Sequence, residues 1–366
     1  MATLDLEAVN VLSDSPEGPL PLKIRAKGDN NSVVFLKEWV ATNKDWLDQK
    51  LLEHGAILFQ GFKVREAIDF QEVLQQYNPQ LSDEYRGTSP RKLQPGTQYV
   101  FSASELPSFF PIPQHLEMAF LPAPPRTLFF CCLEAPTSAG GETCLADFGK
   151  VYQQLKPEVR QKFEENGVMY IRNYSRHKKL IGDPTSLKGW QDVFGTCDKA
   201  EVESELRKSK LDFTWSKGDH LHLVGRESAV EPHPVTGEKV WFNHAQSFHA
   251  ANIPGDFAHI YKRFGSLKYW LLYWLTCLLK FILLTFLAPN KVGFHTCYGD
   301  GTEIPDAHLD HVRDTVWRNL VFNRWEQGDV LMIDNFRVSH GRQPYSGKRK
   351  VVVSWSQPYL KQSHRT

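Results

Sequence analysis

From Val33 to Glu53 apolar residues recur at helical spacing (Val33, Leu36, Val40, Trp46, Leu47, Leu51), which predicts helix. The period then changes. "GAILFQGF" (55–62) is a short apolar run between glycines, a buried strand by length and flanks. "REAIDFQEVLQQY" (65–77) returns to an amphipathic helix, and residues 86–97 form a Gly/Pro/Ser-rich loop. "QYVFSAS", "RTLFFCCLEA" and "ETCLADF" read as strands, 148–166 as helix and "GVMYIRNYS" as strand. The charged stretch 176–218 is helix-prone and reads as an excursion from the sheet. "HLHLVGRE" and "GEKVWFN" are strands, 306–322 is helix, and "GDVLMIDN" and "KRKVVVSW" are closing strands. Residues 1–32, with Pro, Gly and Asn, read as an irregular lead-in. There is no internal repeat. Many short strands interleaved with a few helices predict a β-rich α+β fold, a β-core under helical cover. The expected organisation is one domain over 33–366, with insertions at about 176–218 and at an apolar segment near 266–290.

That apolar segment breaks the pattern. "YWLLYWLTCLLKFILLTFLA" (269–288) has one charge, Lys280, against eleven Leu, Ile and Phe residues. By length and transfer energy it is a transmembrane candidate. The other readings are a helix buried in the fold or at a subunit contact, and an insertion that never packs well.

Charge and cysteine usage narrow the class. Lys and Arg total 43 and Asp and Glu 42, a net charge of +1 with no long run of one sign. Neither nucleic acid nor another polyanion is expected as a partner. Six cysteines show no CxxC spacing, and adjacent Cys131 and Cys132 suit a strand better than a disulfide framework. The N-terminus lacks an apolar signal core. A reduced, intracellular, cytoplasmic chain is expected, with membrane association left open by 269–288.

The candidate chemistry starts at "IPQHLEMAFLP" (112–122). A charge among Leu116, Met118 and Phe120 is costly unless paired. On a strand, residues i and i+2 share a side, so His115 and Glu117 aim an imidazole and a carboxylate into one space. Two such ligands plus a distant histidine form a facial triad for non-haem Fe(II). Alone, the HxE pattern is weak. The related pair His308 and Asp310 lies on a predicted helix, where i and i+2 do not share a face. "GDVLMIDNFRVSHGRQPYSGKRKVVVSW" (328–355) delivers His340 from a strand just before a turn. In isolation a solvated turn histidine is its simpler reading. A cation on the following strand suits an acidic co-substrate, with Arg349 the first choice and Arg342 the second. In "SAGGETCLADF" (138–148) two glycines permit a tight turn, and Thr143 beyond them offers a hydroxyl to a carboxylate or is simply a β-preferring residue.

The order of HxE, "GGET" with its Thr 28 residues later, "HPVTGEKVWFN" (233–243), "GDGTEIP" (299–305) and "GDVLMIDNFRVSHGR" resembles the taurine dioxygenase/clavaminate synthase-like family over roughly residues 50 to 357. The resemblance implies a double-stranded β-helix, or jelly roll. It implies an Fe(II)- and 2-oxoglutarate-dependent oxygenase that couples loss of CO2 and formation of succinate to oxidation of a small substrate. Hydroxylation is the default outcome; desaturation and cyclisation are the others. Matched position by position, His115, Glu117 and His340 correspond to the iron ligands and Thr143 to a 2-oxoglutarate contact. Glu in the acid position occurs in the clavaminate synthase branch. Arg349 corresponds, across a shorter turn, to the arginine for the distal carboxylate. A second arginine, used by some relatives for an anionic substrate, would fall near Val353, which argues against a sulfonate held that way. Asn243 and Gln246 in "FNHAQSFHA" (242–250) are the substrate-contact candidates, with His244 and His249 read as packing or surface residues. The resemblance implies a small amino-acid-like or other small organic substrate and does not choose among them.

Two rivals remain. His220 and His222 with Glu227 resemble a cupin ligand set, without that motif's glycine-spaced surroundings. A membrane-attached scaffold built around 269–288 is the non-enzymatic reading. Topology bears on the segment: His115 and Glu117 precede it and His340 follows it. A single complete crossing would put the ligands on opposite sides of a bilayer. An active enzyme therefore uses the segment at a membrane surface, as a re-entrant loop, over the barrel mouth or at a subunit contact.

Overall fold

The computed structural model describes residues 6–12, 20–87, 89–177, 188–249, 252–286 and 291–364. Its largest sheet has seven strands in the order Val9–Leu12, Leu22–Ala26, Ala56–Gln60, Val330–Asp334, Thr127–Glu134, Lys350–Trp355 and Phe101–Ser102. A four-stranded sheet runs Val321–Asn323, Thr143–Asp147, Val338–Arg342, Ile112–His115. A second four-stranded sheet is built from Phe294–Tyr298, Val168–Tyr174, His220–Glu227 and Asp212–Ser216.

The continuous apolar run "TLFFCCLE" is explained by burial on both faces. Phe129 and Cys131 face a cluster with Leu36, Trp39, Phe70 and Leu74 from the helices Val33–Thr42 and Ala67–Tyr77. Leu128, Phe130 and Cys132 face the opposite way, into a cluster that also holds Leu145 and Val338 of the first four-stranded sheet. The two sheets therefore pack on each other across this second cluster, and the helices cover the far side. A strand buried on both faces loses its alternation, as here. The first helix is capped by the Ser32 hydroxyl, which accepts from Phe35 N at 3.1 Å.

Two expectations are corrected. Residues 1–32 are not only a lead-in: Val9–Leu12 and Leu22–Ala26 join the major sheet, the latter parallel to Ala56–Gln60. Leu22 and Ile24 are buried and alternate with Lys23 and Arg25, but five residues flanked by Pro21 gave too short a signal. The excursion 176–218 holds the helices Trp190–Phe194 and Lys199–Lys208 as expected, and also an edge strand, Asp212–Ser216, paired with His220–Glu227. Residues 178–187 lie outside the described residues.

The apolar segment is a helix, Leu267–Phe286, preceded by Ile253–Phe264. Tyr269 packs with Phe257 and Ile260, and Leu272 and Tyr273 border the same cluster. The other side is open: Trp270, Leu271, Trp274, Leu278, Phe281 and Phe286 are all exposed. Lys280 pairs with Asp306 at 2.7 Å. Among the described residues no helix is long and apolar enough to cross a membrane, so the transmembrane candidate is not borne out as a span.

Candidate active site

The site begins with a register. Strand Ile112–His115 pairs antiparallel with Val338–Arg342, and His340 lies directly opposite His115. Gly341 makes the close approach possible, because a Cβ there would sit 2.6 Å from both Ile112 O and Gln114 Nε2. The two imidazole centroids are 4.3 Å apart. His115 Nδ1 donates to Pro113 O at 2.8 Å, which fixes the tautomer and leaves Nε2 as the lone-pair nitrogen. Neither ring nitrogen of buried His340 makes a hydrogen bond among the described residues. Its Nε2 lies 3.6 Å from Glu117 Oε2.

Glu117 is not on the strand, which ends at His115. The chain turns there, with Met118 at φ +56°, a conformation unusual for a residue with a side chain. Asn335 holds the turn. Its Oδ1 accepts from Glu117 N at 2.7 Å, and its Nδ2 donates to Glu117 O at 3.0 Å and Pro125 O at 2.9 Å. The turn, not the pleat, swings the carboxylate beside the two histidines. One donor atom from each of His115, Glu117 and His340 lies within 4.8 Å of the others.

A cation stabilises the buried carboxylate. Arg91 Nη2 donates to Glu117 Oε2 at 2.7 Å, and Nη1 donates to Ala103 O at 2.6 Å. The guanidinium stacks over Tyr85, 4.5 Å from the ring centroid. Burial alone would raise the Glu117 carboxyl; Arg91, with His340 and His115, outweighs it and holds the group below the usual carboxylate range. Burial, reinforced by His340, pushes His115 down to about 3. The histidine is therefore neutral near pH 7, as a metal ligand must be. Two imidazoles and one carboxylate, with nitrogens on His340 that make no hydrogen bond among the described residues, fit a divalent iron ion.

Thr143, Arg349 and Arg342 separate in role. Arg349 Nε donates to Gly141 O at 2.8 Å and Nη2 to Thr143 Oγ1 at 3.4 Å. The Thr143 hydroxyl also accepts from Trp325 Nε1 at 3.1 Å. Burial, then Arg342, lowers Arg349 to about 10, so it stays a cation. Gly140, at φ +95°, lets this loop close: a Cβ would lie 2.0 Å from Pro344 O. Thr143 is two residues along its strand from Leu145, the partner of His340, a rise of about 7 Å. Arg342 is spent elsewhere. It donates to the carbonyls of Leu106, Pro107 and Phe110 at 3.2, 2.7 and 2.8 Å and so clamps that loop. Val353 is buried in the core between the sheets.

A cavity of about 330 Å³ opens beside the triad, with His115, Glu117, Tyr85, Phe120, His244 and Phe248 in its lining. Asn243 and Gln246 are not in that lining. Asn243 Nδ2 donates to Ala229 O at 2.8 Å and its Oδ1 accepts from Ala245 N at 2.9 Å. Gln246 Nε2 donates to Gln114 O at 3.2 Å. Both brace the loop. Their neighbours His244, Ser247 and His249 face the cavity instead. His244 Nε2 donates to Leu116 O at 2.6 Å.

The cupin-like set does not assemble. His222 Nδ1 bonds Asn173 Oδ1 at 2.7 Å, and Glu227 pairs with Lys361 and with His364 at 2.9 Å. His308 and Asp310 lie on helix Asp306–Arg318, as expected, and bond Tyr298 and Arg313.

Residues 18–355 match the family model for the taurine catabolism dioxygenase TauD, TfdA family. The chain belongs to the TauD/TfdA family. It is 31% identical to dapdiamide synthesis protein DdaC of Enterobacter agglomerans, over 85% of each chain. It is 30% identical to a clavaminate synthase-like protein of Arabidopsis thaliana, over 88% of each. Among solved structures it is similar to PvcB, an Fe, alpha-ketoglutarate dependent oxygenase from an isonitrile synthetic pathway, with TM-score 0.51, 14% identity and 97% and 93% of the two chains covered. A taurine dioxygenase from Burkholderia xenovorans gives TM-score 0.51 and 12% identity over 97% and 91%. As a TauD/TfdA member the protein is an Fe(II)- and 2-oxoglutarate-dependent dioxygenase, with O2 as co-substrate and a small molecule as substrate.

Arg91, Tyr85 and Asn335 escaped the sequence reading, and His244 and His249, read there as packing or surface residues, line the cavity. Asn335, in "IDNFR", stands five residues before His340, and a polar residue just past the apolar run "VLMI" was the available sign. Arg91 lies in a loop with no periodicity and gave none.

Proposed function

We propose that His115, Glu117 and His340 hold the iron, and that Thr143 and Arg349 receive the distal carboxylate of 2-oxoglutarate. The observation that carries this is the convergence of three donors from two paired strands and the turn that follows one of them, His340 being buried without a hydrogen bond among the described residues. Iron with 2-oxoglutarate and O2 supplies oxidation of an unactivated C–H bond with release of succinate and CO2. The protein positions and protects. Pro113 O orients His115, Asn335 sets the Glu117 turn, and Arg91 keeps the carboxylate charged. Arg349 and Thr143 present a charge-assisted pair of donors, and Arg342 is assigned to the loop rather than to the co-substrate.

The two facing sheets are read as a double-stranded β-helix, and the oxygenase unit extends upstream of residue 33 to include the strand Leu22–Ala26. The substrate is a small, amino-acid-like molecule that enters the cavity beside His115, with His244, Ser247 and His249 as its polar neighbours. The exposed face of Leu267–Phe286 is read as a contact surface for a bilayer or a second copy. Vesicle flotation and light scattering separate these two.

The test is anaerobic titration with Fe(II) and then 2-oxoglutarate. A charge-transfer absorption should appear in the native protein and be absent from His340→Ala. No band in the native protein removes the assignment. Succinate release over an amino-acid panel then narrows the substrate.

A further inference from the structure

The cavity region carries a second set of metal-type donors that the iron site does not use. His249 follows the short helix Ala245–Phe248, His295 sits on strand Phe294–Tyr298, and Glu303 lies on the loop beyond. His295 Nε2 is 3.0 and 3.1 Å from the two Glu303 oxygens. His249 Nε2 is 3.5 Å from Glu303 Oε2. The two imidazole centroids are 4.6 Å apart, and the donor atoms all lie within 4.8 Å of one another. Bonds of about 2.0–2.1 Å to a tetrahedral Zn²⁺ place neighbouring donors about 3.3 Å apart. The separations between each histidine and Glu303 bracket that value. Both histidines are buried and Glu303 is 58% exposed. His249 also lines the cavity. Burial, with His249 beside it, pushes His295 below its ordinary value, which favours the neutral ring that binds metal.

We propose that His249, His295 and Glu303 bind a second divalent ion, of zinc type, in the wall of the oxygenase cavity. Two imidazoles and one carboxylate suit Zn²⁺ and leave a fourth position for water or for an anionic group of a bound molecule. A plain ion-paired cluster is the competing explanation, and it predicts no ion.

The metal-stripped full chain is dialysed against Zn²⁺, and bound ions per chain are counted by mass spectrometry. Co²⁺ titration followed by visible absorption supplies a second readout. Two ions per chain are expected in the native protein, one in His340→Ala, one in Glu303→Gln and none in the double variant. Glu303 is largely exposed, so its substitution spares the packing. His295→Gln, checked for folding by circular dichroism, should reproduce the loss. Removing a ligand should weaken the second ion at least about 100-fold, the upper range for losing a mere outer-shell partner. One native ion that survives Glu303→Gln and is lost in His340→Ala overturns the proposal. So does a second ion that survives both Glu303→Gln and His295→Gln. One native ion that survives His340→Ala and is lost in Glu303→Gln supports it while sinking the iron assignment.

Discussion

Two histidine–glutamate clusters border one cavity, and they treat their carboxylates differently. Glu117 is 4% exposed with Arg91 at 2.7 Å; Glu303 is 58% exposed with histidines as its neighbours. A third carboxylate shows which variable matters. Among the described residues, Asp329 is buried with no cation bonded to it: its Oδ2 accepts from Glu326 N at 2.9 Å and from Gln60 Nε2 at 3.4 Å, and its Oδ1 has no hydrogen bond. Burial pushes it up to about 7. Glu117, equally buried, is held down. Pairing, rather than depth, separates these two carboxylates.

Variants test that contrast in order of expected effect. His340→Ala removes a donor from the buried cluster and should cut succinate formation on the order of 10³-fold or more, with loss of bound iron. Retained iron in that variant would place the metal elsewhere. Arg349→Met removes the cation behind Thr143 and should raise the KM for 2-oxoglutarate roughly 100-fold. Steady-state assays at saturating substrate check this, and an unchanged KM assigns the distal carboxylate to another residue. Arg91→Gln leaves Glu117 buried and unpaired, and iron affinity should fall about 10- to 100-fold, as for other outer-shell partners. Competition with a chelator reads that change; an affinity equal to the native value would reduce Arg91 to loop packing.

The smallest effect is on stability. Asp329 has a folded-state value above its unfolded one, so the folded chain binds more protons between about pH 4 and 7. Its penalty is absent below that window, grows as pH rises through it, and is complete above. Asp329→Asn should therefore raise the urea midpoint at pH 8 and leave it nearly unchanged at pH 4. An equal gain at both would show that ionisation is not the cause.

Much of this architecture was legible because it rests on local pattern. The helix spacing of Leu36, Val40 and Leu47 carries its own period, and the doubly buried run at Thr127–Glu134 shows as a short continuous apolar stretch. That His115, Glu117 and His340 come together was legible in residue types and their order along the chain. The reason given for Glu117 was incomplete, since a turn held by Asn335 places it and not strand alternation alone. Arg91 reaches Glu117 from a loop 26 residues away, and no periodicity encodes such a contact. Asn243 and Gln246 were misjudged for a related reason. Polar residues among aromatics mark either a binding wall or a buried brace, and only the carbonyls of Ala229 and Gln114 tell which. The strand Leu22–Ala26 was missed because five alternating residues between breakers fall below the threshold of any window.

The face-to-face pairing of His115 and His340 has a consequence for how such a chain changes over time. A slip of one position would bring Gly341 opposite His115 and turn the second imidazole away, so register there is unforgiving. The length of chain between the two strands does not enter that pairing at all. The intervening chain is a tether that has only to return in step, which is how an oily twenty-residue rod, Leu267–Phe286, is carried without disturbing the pairing of His115 with His340.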